Sequence, residues 1–347
     1  MNGKIGSIKV KWLYSIILTL PLSLGACSGE ENTNEILQGN IPINFSGNVP
    51  VTRATQEVTT DSPERIGVFA YFTEGDFNKE TAKPNFMFNQ LVEKKTDGTW
   101  SYSPIKFWPN NSKTNRISFF AYAPYVEKTG DSNLSFQDKE TAKGFPTLNY
   151  TVPTAENNQI DLLTATPVMN RTNGSVSFKL YHTLTKVKIY VKSNDDTPRK
   201  SITSFSVTGM KSGTLTYTFD SPQGWTWIYP SDEKEAFTTN ITNFPIADTT
   251  EEKKKLLATF FLLPNGERST FNITYQYVST DEKPITQIIK IDQPLPSTDN
   301  WTPGASVGYT IGIARKTITV KQWDTSMSWE EGAETETVEG TKDTTGS

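Results

Sequence analysis

Lys186-Val187-Lys188-Ile189-Tyr190-Val191-Lys192 places an aliphatic side chain at every second position. A helix would scatter these aliphatics around its circumference. An extended strand puts Val187, Ile189 and Val191 on one face and the lysines on the other. The same period recurs upstream, where Val176, Phe178 and Leu180 alternate with Ser177 and Lys179. Downstream, Leu215, Tyr217 and Phe219 alternate with Thr214, Thr216 and Thr218, and Phe271, Ile273, Tyr275 and Tyr277 with Asn272, Thr274 and Gln276. Strands of this kind build antiparallel sheets with one face on a core and the other in water.

Other runs are apolar on both faces: Ile66 to Phe72, Ile117 to Tyr122 and Leu256 to Leu263. These read as central or covered strands. Thr96-Asp97-Gly98, Pro109-Asn110-Asn111, Asn173-Gly174, Ser221-Pro222-Gln223-Gly224 and Pro264-Asn265-Gly266 supply turns between runs. Only Thr249 to Leu257, with Glu251, Glu252 and three lysines, predicts a solvated turn of helix. Aromatic residues at 12%, with 20 prolines and 22 glycines, suit many short strands separated by turns. The fold class is all-β. A break at Pro167 to Gly174 divides it into two tandem antiparallel β-sandwich domains, residues 41–168 and 174–332. Residues 333–347, rich in threonine, glutamate and glycine, read as a disordered tail.

The amino terminus carries a different signal. Lys4, Lys9 and Lys11 precede an apolar run, Trp12 to Leu24, that Ser15, Thr19, Pro21 and Ser23 interrupt. The run is too short and too broken to span a bilayer and suits a signal peptide over residues 1–26. It ends in Leu24-Gly25-Ala26-Cys27, small residues before a cysteine, as lipoprotein processing requires. The expectation is a thioether from Cys27 to diacylglycerol and acylation of the new amine, anchoring the chain in membrane lipid at the outer membrane or cell surface. The alternative is an ordinary secretory signal with a chance cysteine. Residues 27–40, with Glu30, Glu31 and Glu35, form an acidic tether. Cys27 is the sole cysteine, so stability must come from burial without a disulfide.

Little here suits bond-making chemistry. His182 is the single histidine, and its place at a strand end suits a backbone-bonded structural role better than catalysis. The sequence contains no P-loop, no dinucleotide-binding glycine pattern, no nucleophile elbow and no calcium-loop spacing. The expectation is no enzyme activity, no catalytic residue, no metal and no cofactor. A net charge of −4 without a basic stripe argues against nucleic acid. Trp225 and Trp227, with Tyr229, share one strand face. Such a row either packs in a core or stacks on sugar rings, which makes Trp225 and Trp227 candidate glycan contacts.

An ordered set of passages resembles the fimbrillin family, the Mfa-like lipoprotein subunits of type V pili. It begins with Ile41-Pro42-Ile43-Asn44-Phe45, Val51-Thr52-Arg53-Ala54 and Ile66-Gly67-Val68-Phe69-Ala70-Tyr71. Phe107-Trp108-Pro109 and Ile117-Ser118-Phe119-Phe120-Ala121-Tyr122-Ala123-Pro124-Tyr125 follow. The second half adds Asp161-Leu162-Leu163, Phe178 to Val191, Phe261-Leu262-Leu263-Pro264, Trp301-Thr302-Pro303-Gly304 with Tyr309, and Ile318 to Trp329.

The resemblance implies two transthyretin-like sandwiches, exported as a lipoprotein and cut by a trypsin-like protease behind the first strand. Arg53 and Ala54 match the cut position. Ile41, Ile43 and Phe45 would be the apolar row of the strand that leaves, and a strand from another pilus subunit would fill the groove. The alternative is that Arg53 is an ordinary loop arginine and the strand stays. Gly332 to Ser347 lacks the alternation of a donor strand, so either Ile318 to Trp329 donates or the chain only accepts. A second functional reading is a standalone surface lipoprotein that binds glycan or host protein.

Overall fold

In the computed structural model, Thr185–Ser193 is a strand buried at every second residue, with Val187, Ile189 and Val191 inward. The structure describes residues 38–48, 63–110, 113–127, 133–195, 200–246, 254–278, 284–287, 293–296, 298–314, 317–323 and 340–343. All of them belong to one compact unit, Leu37–Ser347. The described regular structure is strand apart from two 3-10 turns, Glu156–Asn158 and Thr298–Asn300. No helix among the described residues is long and apolar enough to cross a membrane.

The described residues of the unit form five sheets. An eight-stranded sheet runs in the order Phe45–Asn48, Val176–His182, Leu163–Ala165, Asn115–Ala123, Arg65–Glu74, Met87–Lys94, Trp100–Ser101, with Val168–Arg171 also on Asn115–Ala123. Gln38–Pro42 pairs separately with Phe107–Pro109. A four-stranded sheet joins Trp225–Ile228, Ser212–Tyr217, Thr147–Thr151 and Leu134–Phe136. The five-stranded sheet orders Lys255–Leu262, Thr185–Ser193, Ser306–Ile313, Thr317–Trp323 and Gly340–Asp343. The six-stranded sheet is built on Lys200–Met210 and Thr270–Val278.

Most pairs are antiparallel, as alternation predicts, but two are not. Phe45–Asn48 runs parallel to Val176–His182, and Thr185–Ser193 runs parallel to Ser306–Ile313. Parallel neighbours need long connections, and each of these pairs is separated by more than a hundred residues of chain.

Several expectations need correction. Lys255–Leu262, which includes part of the expected helical turn, is an edge strand, because Phe260 and Leu262 bury on the core while the chain extends along Thr185–Ser193. Gly340–Asp343, within the expected disordered tail, pairs with Thr317–Trp323 and so covers its backbone edge. Pairing also crosses the expected boundary at 168–174. Val176–His182 joins the sheet of the first half, and Ser212–Tyr217 pairs with Thr147–Thr151.

Two apolar clusters result from the way sheets face each other. Phe119 and Phe120 are consecutive on Asn115–Ala123 and therefore point to opposite faces. Phe120 meets Tyr217 of the four-stranded sheet, with ring centroids 4.8 Å apart, and belongs to the main core with Val187, Phe205 and Tyr309. Phe119 points the other way, onto Phe45 and Trp108, both with centroids 5.8 Å away. Ile43, Phe45, Trp108, Phe119 and Phe178 are all buried yet lie outside the main core. This smaller cluster is roofed by the first strand.

Candidate functional site

The first strand is held by two different sheet edges. Gln38–Pro42 lies antiparallel on Phe107–Pro109, with Gln38 opposite Pro109 and Pro42 opposite Phe107. The chain then crosses over. The Ile43 N–H donates to the Lys106 carbonyl at 2.9 Å, while the next carbonyl, Asn44, accepts from the Val176 N–H at 2.8 Å. From Phe45 onward the partner is Val176–His182, with Phe45 opposite Val176 and Gly47 opposite Phe178. Ile43, Phe45 and Gly47 point inward, and Asn44 is exposed between Ile43 and Phe45. Ile41 is 61% exposed, within the Gln38–Pro42 stretch whose pairing carries a register shift; the buried row is Ile43, Phe45 and Gly47 rather than Ile41, Ile43 and Phe45.

Aromatic rings form the seat. Phe45 stacks on Phe178 at 5.8 Å with 13° between planes, and meets Tyr102 edge-on at 5.1 Å and Phe119 at 5.8 Å. Offset-stacked and edge-to-face arrangements suit the ring quadrupoles and add to the gain from burial. The Tyr102 hydroxyl donates to the Ile43 carbonyl at 2.9 Å and accepts from the Lys106 N–H at 3.2 Å. Burial pushes the Tyr102 hydroxyl above the usual phenol range, with the backbone bond to Lys106 partly offsetting that, so it remains a donor. Trp108 donates its Nε1 to the Gly174 carbonyl at 3.1 Å, tying the Phe107–Pro109 edge to the turn that starts Val176–His182. Trp100 closes the far end, its ring 3.5 Å from where a Cβ on Gly47 would sit. A turn places it there: Asp97 accepts from Thr99, and Gly98 takes φ +84°.

The other predicted residues fall elsewhere. Cys27, Arg53 and Ala54 lie outside the described residues. Trp225 is 2% exposed and packs in the main core, so it offers no face to a sugar. Trp227 is partly buried against that core, lies over Gly213 and donates to the Thr183 carbonyl at 2.8 Å. The row turns inward because Thr226 and Ile228 take the outer face of the same strand. His182 is not simply backbone-bonded. Its Nδ1 lies 2.9 Å from an Asp161 carboxylate oxygen, across the Leu163–Ala165 pairing. Among the described residues no group of three or more His, Cys, Asp or Glu could hold a metal. Sequence reasoning missed Trp100 and Tyr102 as parts of the seat. Nothing local marks them, since they lie more than fifty residues from the strand they hold.

The first strand thus lies across two sheet edges over a small aromatic cluster of its own. The fimbrillin-like family model matches residues 52–326. The chain is 27% identical to the fimbrium subunit Fim1C of Phocaeicola vulgatus over 383 aligned positions, which take in 95% of this chain and 99% of that one. It also superposes on the crystal structure of a fimbrial protein from Bacteroides vulgatus with a TM-score of 0.62 at 25% identity, covering 82% of this chain and 98% of that one. The chain therefore belongs to the fimbrillin-like family, whose role is structural and not enzymatic.

Proposed function

We propose that this chain is a structural or adhesive subunit of a surface fimbria, exported as a lipoprotein through Cys27 and assembled by strand exchange. In this reading a trypsin-like protease cuts between Arg53 and Ala54, the segment carrying Ile43 and Phe45 leaves, and a strand from another subunit takes its place. The accepting site is the edge of Val176–His182 that the first strand covers. Membrane lipid holds the subunit through Cys27 at the outer membrane or cell surface until it assembles.

One observation carries the reading. The first strand roofs an aromatic cluster separate from the main core, so it can be removed without opening the core that holds the rest together. A vacated seat would expose the unpaired backbone edge of Val176–His182 and the apolar faces of Phe119 and Phe178. That combination recruits another strand. The resident strand holds the site closed until cleavage. Trp225 packs in the main core and Trp227 lies partly buried against it, which favours this reading over the alternative of glycan contacts there.

Limited trypsinolysis of the unlipidated chain tests this. The expected outcome is a new amino terminus at Ala54 and, after cleavage, replacement of the released segment by an added dye-labelled copy of residues 38–48. A chain that is not cut there, or that refuses the labelled strand after cutting, would overturn the proposal.

A further inference from the structure

We infer that the seat admits only a strand reading aliphatic-x-aromatic-x-glycine or alanine in the direction of Val176–His182, and that a different subunit supplies it. This rests on the strand-exchange reading above.

The filter follows from the three inward positions of the resident strand. At the first, Ile43 is 1% exposed, so a polar side chain there would be buried away from water and an aliphatic one is favoured. At the second, the three rings around Phe45 form a slot that a smaller side chain would leave partly empty. The third position is the selective one. A Cβ on Gly47 would meet Trp100 Cζ2 at 3.5 Å, the Leu180 Cδ1 at 3.8 Å and Trp100 Cη2 at 3.8 Å. These are ordinary contact distances, so one methyl fits. A γ-carbon directed at the indole or Leu180 would overlap one of them, and a β-branched side chain carries two such carbons. The requirement is one of space, because Gly47 does not adopt a left-handed φ. Trp100 is thus the specificity-determining residue of the seat.

The chain's own carboxy-terminal segment fails this filter. The inward residues of Thr317–Trp323 are Ile318, Val320 and Gln322, which provide neither the aromatic nor the small residue. Beyond them, Trp323 is followed two residues later by Thr325, and Trp329 by Glu331. No position from 317 to 347 supplies an aromatic followed at that spacing by glycine or alanine. Residues 317–347 of a second copy therefore do not offer the matching strand.

The test uses trypsin-cleaved full-length protein and dye-labelled peptides of residues 38–48, read by fluorescence anisotropy and co-elution. Peptides with glycine or with Gly47→Ala should bind within about threefold of each other. Gly47→Val should bind at least about tenfold more weakly, as expected when a filled site is overpacked. A Trp100→Ala protein should restore binding of the Gly47→Val peptide, a coupling that general unfolding cannot produce. Cleaved protein alone should stay monomeric.

If the parent peptide binds but Gly47→Val binds as tightly, the filter is wrong while strand exchange stands. If cleaved protein polymerises without any partner, the second-subunit claim is wrong. If no peptide enters at all, strand exchange fails and the inference fails with it.

Discussion

Phe45 meets rings from separate parts of the sheet: Phe119 on Asn115–Ala123, Phe178 on Val176–His182, and Tyr102 just past Trp100–Ser101. Removing it should cost about 3–5 kcal/mol, the range for a buried phenylalanine cut to alanine. That loss falls on the strand and not on the main core, from which Phe45 is separate. Phe45→Ala should therefore speed trypsin cutting at Arg53 several-fold while far-ultraviolet circular dichroism stays unchanged. An unaltered cleavage rate would show that the rings do not hold the strand. Tyr102 supplies a pH dependence with a definite sign. Its folded pKa lies above the ordinary phenol value of 10.0 because burial penalises the phenolate. Its contribution is then complete below pH 10 and fades as pH rises through the folded value. Strand release from cleaved protein should be flat between about pH 6 and 9 and accelerate above about pH 10. Tyr102→Phe should weaken the strand by about 0.5–1.5 kcal/mol at neutral pH and remove much of the alkaline acceleration. Equal alkaline sensitivity in both proteins would assign the effect to other buried tyrosines.

Among the elements, the edge strands divide into open and closed kinds. Lys255–Leu262 ends the five-stranded sheet, and its outward N–H groups would invite another strand. Side chains from the 3-10 turn close it: Thr259 N–H donates to Glu156 Oε1 at 2.6 Å and Phe261 N–H to Gln159 Oε1 at 2.8 Å. Two carboxyl or amide oxygens, three residues apart, stand in for the carbonyls of a neighbouring strand. The seat on Val176–His182 has no such side-chain guard; the first strand itself occupies it. If the subunit assembles by strand exchange as proposed, this asymmetry would direct it to one edge. Glu156→Ala with Gln159→Ala should leave two N–H groups unpaired at about 1–3 kcal/mol each. Size-exclusion chromatography should then show concentration-dependent association that the parent chain lacks, and a double variant that stays monomeric at the same stability would count against the guard.

At the scale of the whole molecule, burial carries the fold, since Cys27 is the single cysteine. A chain stabilised this way folds without an oxidant. If Cys27 carries the anchor, Cys27→Ala should move the protein from the membrane pellet to the soluble fraction with its thermal transition unchanged. Continued pelleting would show that something other than acylation holds it.

Much of this was legible in the residues. Period-two runs predicted Val176–His182, Thr185–Ser193, Ser212–Tyr217 and Thr270–Val278 as strands, and the structure places each of them so. Runs apolar on both faces predicted Arg65–Glu74 and Asn115–Ala123 as covered strands, buried along most of their length. Local reading failed at the ends of the pattern. Ile41 looked equivalent to Ile43 and Phe45 but lies exposed in the stretch with shifted register, and the lysines before Leu256 suggested a helix where the core required an extended edge. Strand identity and turn positions depend on side chains a few positions apart, so the linear order contains them. Which strands become neighbours, and that Trp100 and Tyr102 should close over residues more than fifty positions earlier, depends on how the whole core minimises exposed apolar surface. Only the tertiary structure decides that, because contact energy is shared among distant segments and belongs to none of them alone.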